Sequence, residues 1–159
     1  MKTITIPVPI NHIKSFLNKF ESPVTPELKG MDLNLALTVL LVRIARVDKD
    51  YTLSEQEHIA ELVSSSCQIP LAEAISLRIE AEEIEASAAD SVRFTRIIKE
   101  NIPFNQREIV LELLWEIVLS DGVRDHKEDG FLRLVASLLG ITDRDSAIAR
   151  QNVMKRMNL

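Results

Sequence analysis

Five carboxylates stand in two short polar segments, and their types and spacing suit metal binding. The five are Asp48 and Glu55 in the first segment, where Asp50 is a further acid that could join them, and Asp121, Asp125 and Glu128 in the second. In each segment an Asp ends an apolar stretch and a Glu follows seven residues later. Hard cations such as Ca²⁺ and Mg²⁺ prefer carboxylate oxygens as ligands. These five residues are therefore candidate metal ligands for Ca²⁺ or Mg²⁺, and we expect no other cofactor and none that is strictly required.

Local helix chemistry offers a simpler explanation of the same carboxylates. The two glutamates match the capping-box pattern, with Thr52 and Asp125 as the capping residues. Asp48 and Asp121 end apolar helices, where the negative end of the helix dipole disfavours a carboxylate. Backbone N–H groups of the following turn, in an Asx-turn, would compensate each aspartate, and so would a bound cation. Both explanations stay open at this point.

Other site chemistry has less support in the sequence. An EF-hand is excluded in the first segment because Leu53 stands where the loop needs Gly, and Ile59 where it needs Glu. The histidines, His12, His58 and His126, have no zinc-ligand spacing. A carboxylate-based hydrolase would need the acids of both segments to converge in one cleft. We therefore expect that the protein is not an enzyme.

Composition narrows the class of protein further. The chain has 159 residues, the usual size of one domain, and a net charge of −5, which argues against a nucleic-acid surface. Its single cysteine, Cys67, allows no internal disulfide, suits a reducing compartment and is expected to be buried. No apolar run reaches the length of a membrane span. We therefore predict a cytoplasmic protein without a transmembrane segment.

Apolar periodicity predicts an all-α fold of about seven to eight helices. Two strongly apolar helices, near residues 32–47 and 105–120, are expected at the centre, the second capped by Asn105 and carrying Trp115 in the core or an interface. A helix opened by Pro70, in its first turn, carries Leu71, Ile75, Ile79 and Ile84 as its apolar positions. Its acidic outer face is predicted to hold Glu80, Glu82, Glu83 and Glu85. Residues 1–25 form a separate N-terminal arm with a short amphipathic helix.

The chain also contains an internal repeat. When it is aligned with itself so that Leu40 meets Leu113, Ile44 meets Ile117 without a gap. The acids keep the same register, because Asp48 meets Asp121 and Glu55 meets Glu128. Helical periodicity alone matches apolar positions, but it does not place two acids at one fixed interval. The sequence therefore predicts a duplicated helix–acidic turn–helix unit with approximate two-fold symmetry.

The second half also carries an ordered set of short motifs. Asp121-Gly122 ends an apolar helix, Glu128 follows, and Leu139-Gly140-Ile141 ends the next helix. In this order and spacing the chain resembles the tellurite-resistance TerB family and its TerB-like relatives, over roughly residues 30–150. The first half matches more weakly, through Ala45, Asp48 and Glu55, with Lys49 in place of the glycine.

The resemblance implies an all-helical domain, residues 26–159, with an acidic patch formed by the turns that is suggested in the family to bind metal ions. The family is associated with tellurite resistance and a wider stress response, and its members are not established enzymes. We therefore expect a non-catalytic module that binds a divalent metal or a protein partner through the acidic turns. The alternatives are a structural protein that forms a homodimer through its apolar helices and, less favoured, the hydrolase.

Overall fold

Seven α-helices make up the part of the chain that the structure, a computed structural model, describes: residues 32–47, 50–120 and 126–159. They are α1 (Leu33–Ala45), α2 (Leu53–Cys67), α3 (Leu71–Ser87), α4 (Val92–Asn101), α5 (Glu108–Ser120), α6 (His126–Leu139) and α7 (Asp143–Arg156). Within these ranges there is no strand, and a 3₁₀ turn at Phe104–Gln106 precedes α5. The all-α prediction is confirmed. None of the described helices combines the length and the apolar character needed to cross a membrane.

The two apolar helices lie at the centre, as the sequence predicts. α1 packs against α2, α3, α4 and α5, and α5 packs in addition against α6 and α7. Only two residues of α1, Asn34 and Arg43, are not buried. Trp115 of α5 is buried in the same core. A Leu or Ile side chain gains about 1.5–3 kcal/mol on full burial, so these two helices supply much of the stability. Because their apolar faces are covered by the chain's own core, they offer little surface for a homodimer.

The helix boundaries follow the internal repeat. In the register that aligns Leu40 with Leu113, the start of α2 coincides with the start of α6, and α3 begins just inside the first turn of α7. The packing repeats as well, because α1 contacts α2 and α3 in one unit and α5 contacts α6 and α7 in the other. α4 connects the two units and contacts both α1 and α6. The first unit is therefore α1–α3 and the second is α5–α7.

Local sequence rules explain most helix ends. The Asp32 carboxylate accepts a hydrogen bond from the Leu35 N–H at 2.8 Å and caps α1. Thr142 caps α7 in the same way by accepting from Asp145 at 3.1 Å. Gly140 ends α6 with a φ of 75°, a conformation that glycine adopts without strain. The prediction that Asn105 caps α5 is wrong, since Asn105 lies inside the 3₁₀ turn and α5 begins at Glu108.

The orientation of α3 differs from the sequence interpretation. Its buried residues are Ala74 and Ala81, with Leu77 and Ile84 packed at the edge of the core. Leu71, Ile75 and Ile79 are instead exposed, at 49%, 37% and 48%. Two of the glutamates assigned to the outer face, Glu82 and Glu85, turn inward to arginines. Ion pairs with α1, together with small alanines that allow close packing, thus decide which face of α3 is buried.

The N-terminal arm, residues 1–25, and its amphipathic helix lie outside the described residues. The same holds for residues 26–31 of the TerB-like domain. The domain boundary near residue 25 therefore stays a prediction.

Candidate functional site

Two of the five candidate metal ligands lie in the described part of the chain. Glu55 is in the first turn of α2, and Glu128 is in the first turn of α6. Asp48, Asp121 and Asp125 lie outside the described residues, so the Asx-turn and the cation stay predictions for them. The two glutamates occupy equivalent positions of the repeat, which makes their surroundings directly comparable.

Glu55 serves as a helix cap. Its carboxylate accepts a hydrogen bond from the Thr52 N–H at 3.0 Å, and the Thr52 hydroxyl accepts one from the Glu55 N–H at 3.2 Å. This reciprocal pair is the capping box that the sequence predicts, and it satisfies two N–H groups at the start of α2. The Glu55 side chain is half-buried. The first acidic turn therefore uses its glutamate for local structure.

Glu128 has a different environment, although it occupies the same position of its unit. It is buried, with only 4% of its surface exposed. Removing a carboxylate from water costs free energy unless positive charge or hydrogen-bond donors compensate for it. The positive end of the α6 dipole supplies part of that compensation, because Glu128 lies in the first turn. The second acidic turn thus leads directly into a buried acid, which the first does not.

A polar network joins the residues on both sides of the first acidic turn to α3. The turn is bounded by Arg46 on one side and Tyr51 on the other. Arg46 donates to the Glu85 carboxylate at 2.7 Å and to the Glu82 carbonyl at 3.0 Å. Tyr51 donates its hydroxyl to the Glu82 carboxylate at 2.7 Å, and the Arg46 guanidinium lies 4.9 Å from the centre of its ring. Burial, reinforced by Glu82, raises the pKa of Tyr51 well above its ordinary value, so it stays a neutral donor.

Arg43 extends this network into the domain. Its guanidinium lies 3.4 Å from the Glu85 carboxylate, and it donates to the Ser91 hydroxyl and to the Ala88 carbonyl. Sequence reasoning missed this role. The signal was present, because Arg43 interrupts an otherwise apolar stretch, and a long cation on a buried helix requires partners. Arg43 and Arg46 pair with Glu85, and Arg78 of α3 pairs with Glu82, so both glutamates are structural acids.

The second unit has its own row of acids along α5. Glu112 accepts hydrogen bonds from Arg156 at 3.0 Å and from Asn152 at 3.1 Å, both of α7. One turn further on, Glu116 is 7% exposed. Burial raises its pKa, Arg156 partly opposes that rise, and Glu112 adds to it. The pKa of Glu108, one turn before Glu112, is also raised, by desolvation and by the charges of Asp145 and Glu112.

These acids do not form a metal centre within the described residues. Across residues 32–47, 50–120 and 126–159, no three His, Cys, Asp or Glu side chains stand close enough together to hold an ion. A cleft of about 220 Å³ opens beside Trp115, where Arg150 lies 5.7 Å from the indole ring. Sites for drug-sized ligands usually measure about 300–1,000 Å³, so this cleft is small for a substrate pocket.

Comparison with known proteins identifies the family of this all-helical domain. The family model described as Tellurite resistance protein TerB matches residues 34–151. The match covers most of both units of the repeat and both acidic turns, and the chain therefore belongs to the TerB family. No curated protein and no solved structure matches the chain.

Proposed function

We propose that the chain is a non-catalytic TerB-family module that binds a divalent cation, Ca²⁺ or Mg²⁺, at its second acidic turn. By its family it would act in the cytoplasm in tellurite resistance or a related stress response. The observation that carries the proposal is the burial of Glu128 next to a turn that contains Asp121 and Asp125. A cation shared by these three carboxylates would add to the positive potential of the α6 N-terminus.

The contrast between the two turns supports this choice. Glu55 takes part in a capping box and is half-buried, whereas Glu128 at the equivalent position is buried. Each turn carries three acids, Asp48, Asp50 and Glu55 in the first and Asp121, Asp125 and Glu128 in the second, so the choice rests on the burial of Glu128 and not on net charge.

A thermal-shift titration tests the proposal. Ca²⁺ and Mg²⁺ are added separately up to about 100 times the dissociation constant, where binding to the folded state alone adds about 2.7 kcal/mol. For a domain of this size we expect the melting temperature to rise by roughly 5–10 °C. Each variant is compared with its own metal-free form, so a change in intrinsic stability does not disturb the result.

The matched variants are Glu128→Gln and Glu55→Gln, which remove the same charge at equivalent positions of the two units. Glu128→Gln and Asp121→Asn should abolish the shift, whereas Glu55→Gln should keep it. A wild-type protein that shows no shift with either ion would reject the cation and leave a basic protein partner as the ligand of the acidic turns. Equal loss in both glutamate variants would reject the assignment to the second turn.

A further inference from the structure

Three apolar side chains form a stripe on the outer surface of α3. Leu71, Ile75 and Ile79 are spaced four residues apart, so they lie along one face of the helix. They are exposed at 49%, 37% and 48%. Single exposed apolar residues are ordinary on protein surfaces, but an aligned set marks a surface that is covered by another element. These three residues are called the α3 stripe below.

The internal repeat shows that the fold does not require the α3 stripe. The equivalent positions of α7 hold Arg144, Ile148 and Asn152. Two of the three are polar, although α7 packs against α5 as α3 packs against α1. The same positions in the same architecture thus tolerate polar side chains. The apolar side chains of the α3 stripe are therefore explained better by another element that covers them.

An acidic side chain lies near each end of the α3 stripe. Glu61 of α2 lines a shallow depression together with Leu71. Glu83, which is also exposed, continues the row of Leu71, Ile75 and Ile79 one turn further along α3. Arg78, the only basic residue of α3, donates to the Gln56 carbonyl and pairs with Glu82, so its charge is used inside the first unit. An occupant of this surface needs an apolar face bordered by positive charge.

We propose that the chain's own arm covers this surface, with residues 11–20 packed against the α3 stripe as an amphipathic helix. The segment NHIKSFLNKF places Ile13, Phe16, Leu17 and Phe20 on one helical face. Lys14 and Lys19 border that face on its two sides, and the segment contains no acid. Its apolar face matches the α3 stripe, and its two lysines match the charges of Glu61 and Glu83.

The arm is long enough to reach this surface within one molecule. Arg43 and Arg46, near the end of α1, pair with Glu85, near the end of α3, so the two packed helices run in the same direction. Asp32 at the start of α1 therefore lies beside the first half of α3. Residues 21–31 span at most about 36–40 Å when extended, and α3 is about 25 Å long. A tethered segment also acts at a millimolar effective concentration, which favours it over a second copy.

Hydrogen exchange of the full chain, measured by mass spectrometry, tests this proposal. We expect amides of residues 11–20 to be protected in the wild type and to exchange roughly tenfold faster in the Ile75→Gln, Ile79→Gln double variant. The matched control is Ile148→Gln, at the equivalent position of α7, and it should leave the protection unchanged. These residues are exposed at 37–48%, so the substitutions are compatible with folding.

A reciprocal variant and a dilution experiment show whether the arm or a second copy of the chain covers the α3 stripe. The reciprocal variant Phe16→Gln should expose the α3 stripe and increase exchange in α3, whereas dilution of the wild type should change nothing. Protection lost on dilution would show a second copy on the stripe and overturn the proposal. Residues 11–20 that exchange at the unprotected rate in the wild type, or protection that survives the double variant, would also overturn it. None of these outcomes depends on cation binding at the second turn.

Discussion

The two three-helix units bury their apolar helices in the same way, but the charges of the ion pairs between their first and third helices are reversed. In the first unit, Arg43 and Arg46 of α1 bind Glu85 of α3. In the second unit, Glu112 of α5 binds Arg156 of α7. Glu116 occupies the position that Arg43 has in the first unit. Apolar packing therefore defines the repeated unit, while the polar residues that join its helices differ between the two copies.

The largest effect is expected when equivalent core leucines of the two units are replaced. Leu40 and Leu113 occupy the same position of the two units and are 0% and 2% exposed. Each substitution by alanine should lower the free energy of unfolding by about 2–5 kcal/mol, because it leaves a cavity in the core. Urea denaturation measures both. Leu134→Ala, at a residue 48% exposed, is the control and should cost no more than about 0.5 kcal/mol. If one of the two core variants were neutral, the units would not share their packing.

A smaller effect is expected from the ion pairs. Glu85→Ala leaves two partly buried arginines without their carboxylate, whereas Glu112→Ala leaves one. Removing one partner of a fully buried pair costs about 3–5 kcal/mol and an exposed pair about 0–1 kcal/mol. We expect about 2–3 kcal/mol for Glu85→Ala and about 1–2 kcal/mol for Glu112→Ala, measured by urea denaturation. A larger loss for Glu112→Ala would contradict the view that α3 depends more on its ion pairs.

The smallest effect, and one of opposite sign, is expected at Glu116. Its pKa is raised in the folded state, mainly by burial, so the folded protein holds this proton more tightly than the unfolded chain does. The free energy of unfolding therefore falls as pH rises from the unfolded pKa, near 4.5, through the folded pKa. Above the folded pKa the charged form destabilises the protein by about 1.4 kcal/mol for each pH unit that separates the two pKa values.

Glu116→Gln removes this charge and keeps the shape of the side chain. For each pH unit between the folded and unfolded pKa values, we expect a melting temperature roughly 3–6 °C higher at pH 7. The gain should shrink as pH approaches 4.5, and thermal unfolding followed between about pH 4 and 8 measures it. Arg43→Gln, at the equivalent position of the first unit, is the control and should be destabilising. A destabilised Glu116→Gln at neutral pH would mean that its carboxylate makes a favourable interaction stronger than its desolvation cost.

Much of the fold could be predicted from the sequence, for identifiable reasons. The central helices were predictable because nearly every residue of α1 is apolar, and the Thr52 and Thr142 caps because their chemistry is local. The orientation of α3 was not, since Leu71, Ile75 and Ile79 give a stronger apolar stripe than the face that is buried. The buried face is chosen by arginines of α1, which is separated from α3 in the sequence by the whole of α2. Long-range ion pairs of that kind leave no periodic signal.

The candidate site was predictable only in part. Glu55 follows the capping-box rule, so its bonds to Thr52 could be expected. Glu128 matches the same rule in sequence, yet it is buried. That difference depends on how α6 packs against α4, α5 and α7, which no local pattern encodes. The burial of Glu116 could not be predicted either, because a glutamate on a mostly apolar helix is expected to face solvent.

The reversed charges of the ion pairs in the two units favour the native topology of this duplicated chain during folding. Because α1 and α5 are similar apolar helices, each could dock in the place of the other during folding. Docking of α1 in the place of α5 would put Arg43 beside Arg156, and docking of α5 in the place of α1 would put Glu116 beside Glu85. Both misassembled forms bring like charges together in a partly buried setting, where repulsion is weakly screened. The native arrangement thus gains a kinetic and energetic advantage that its apolar core, nearly the same in both units, could not provide.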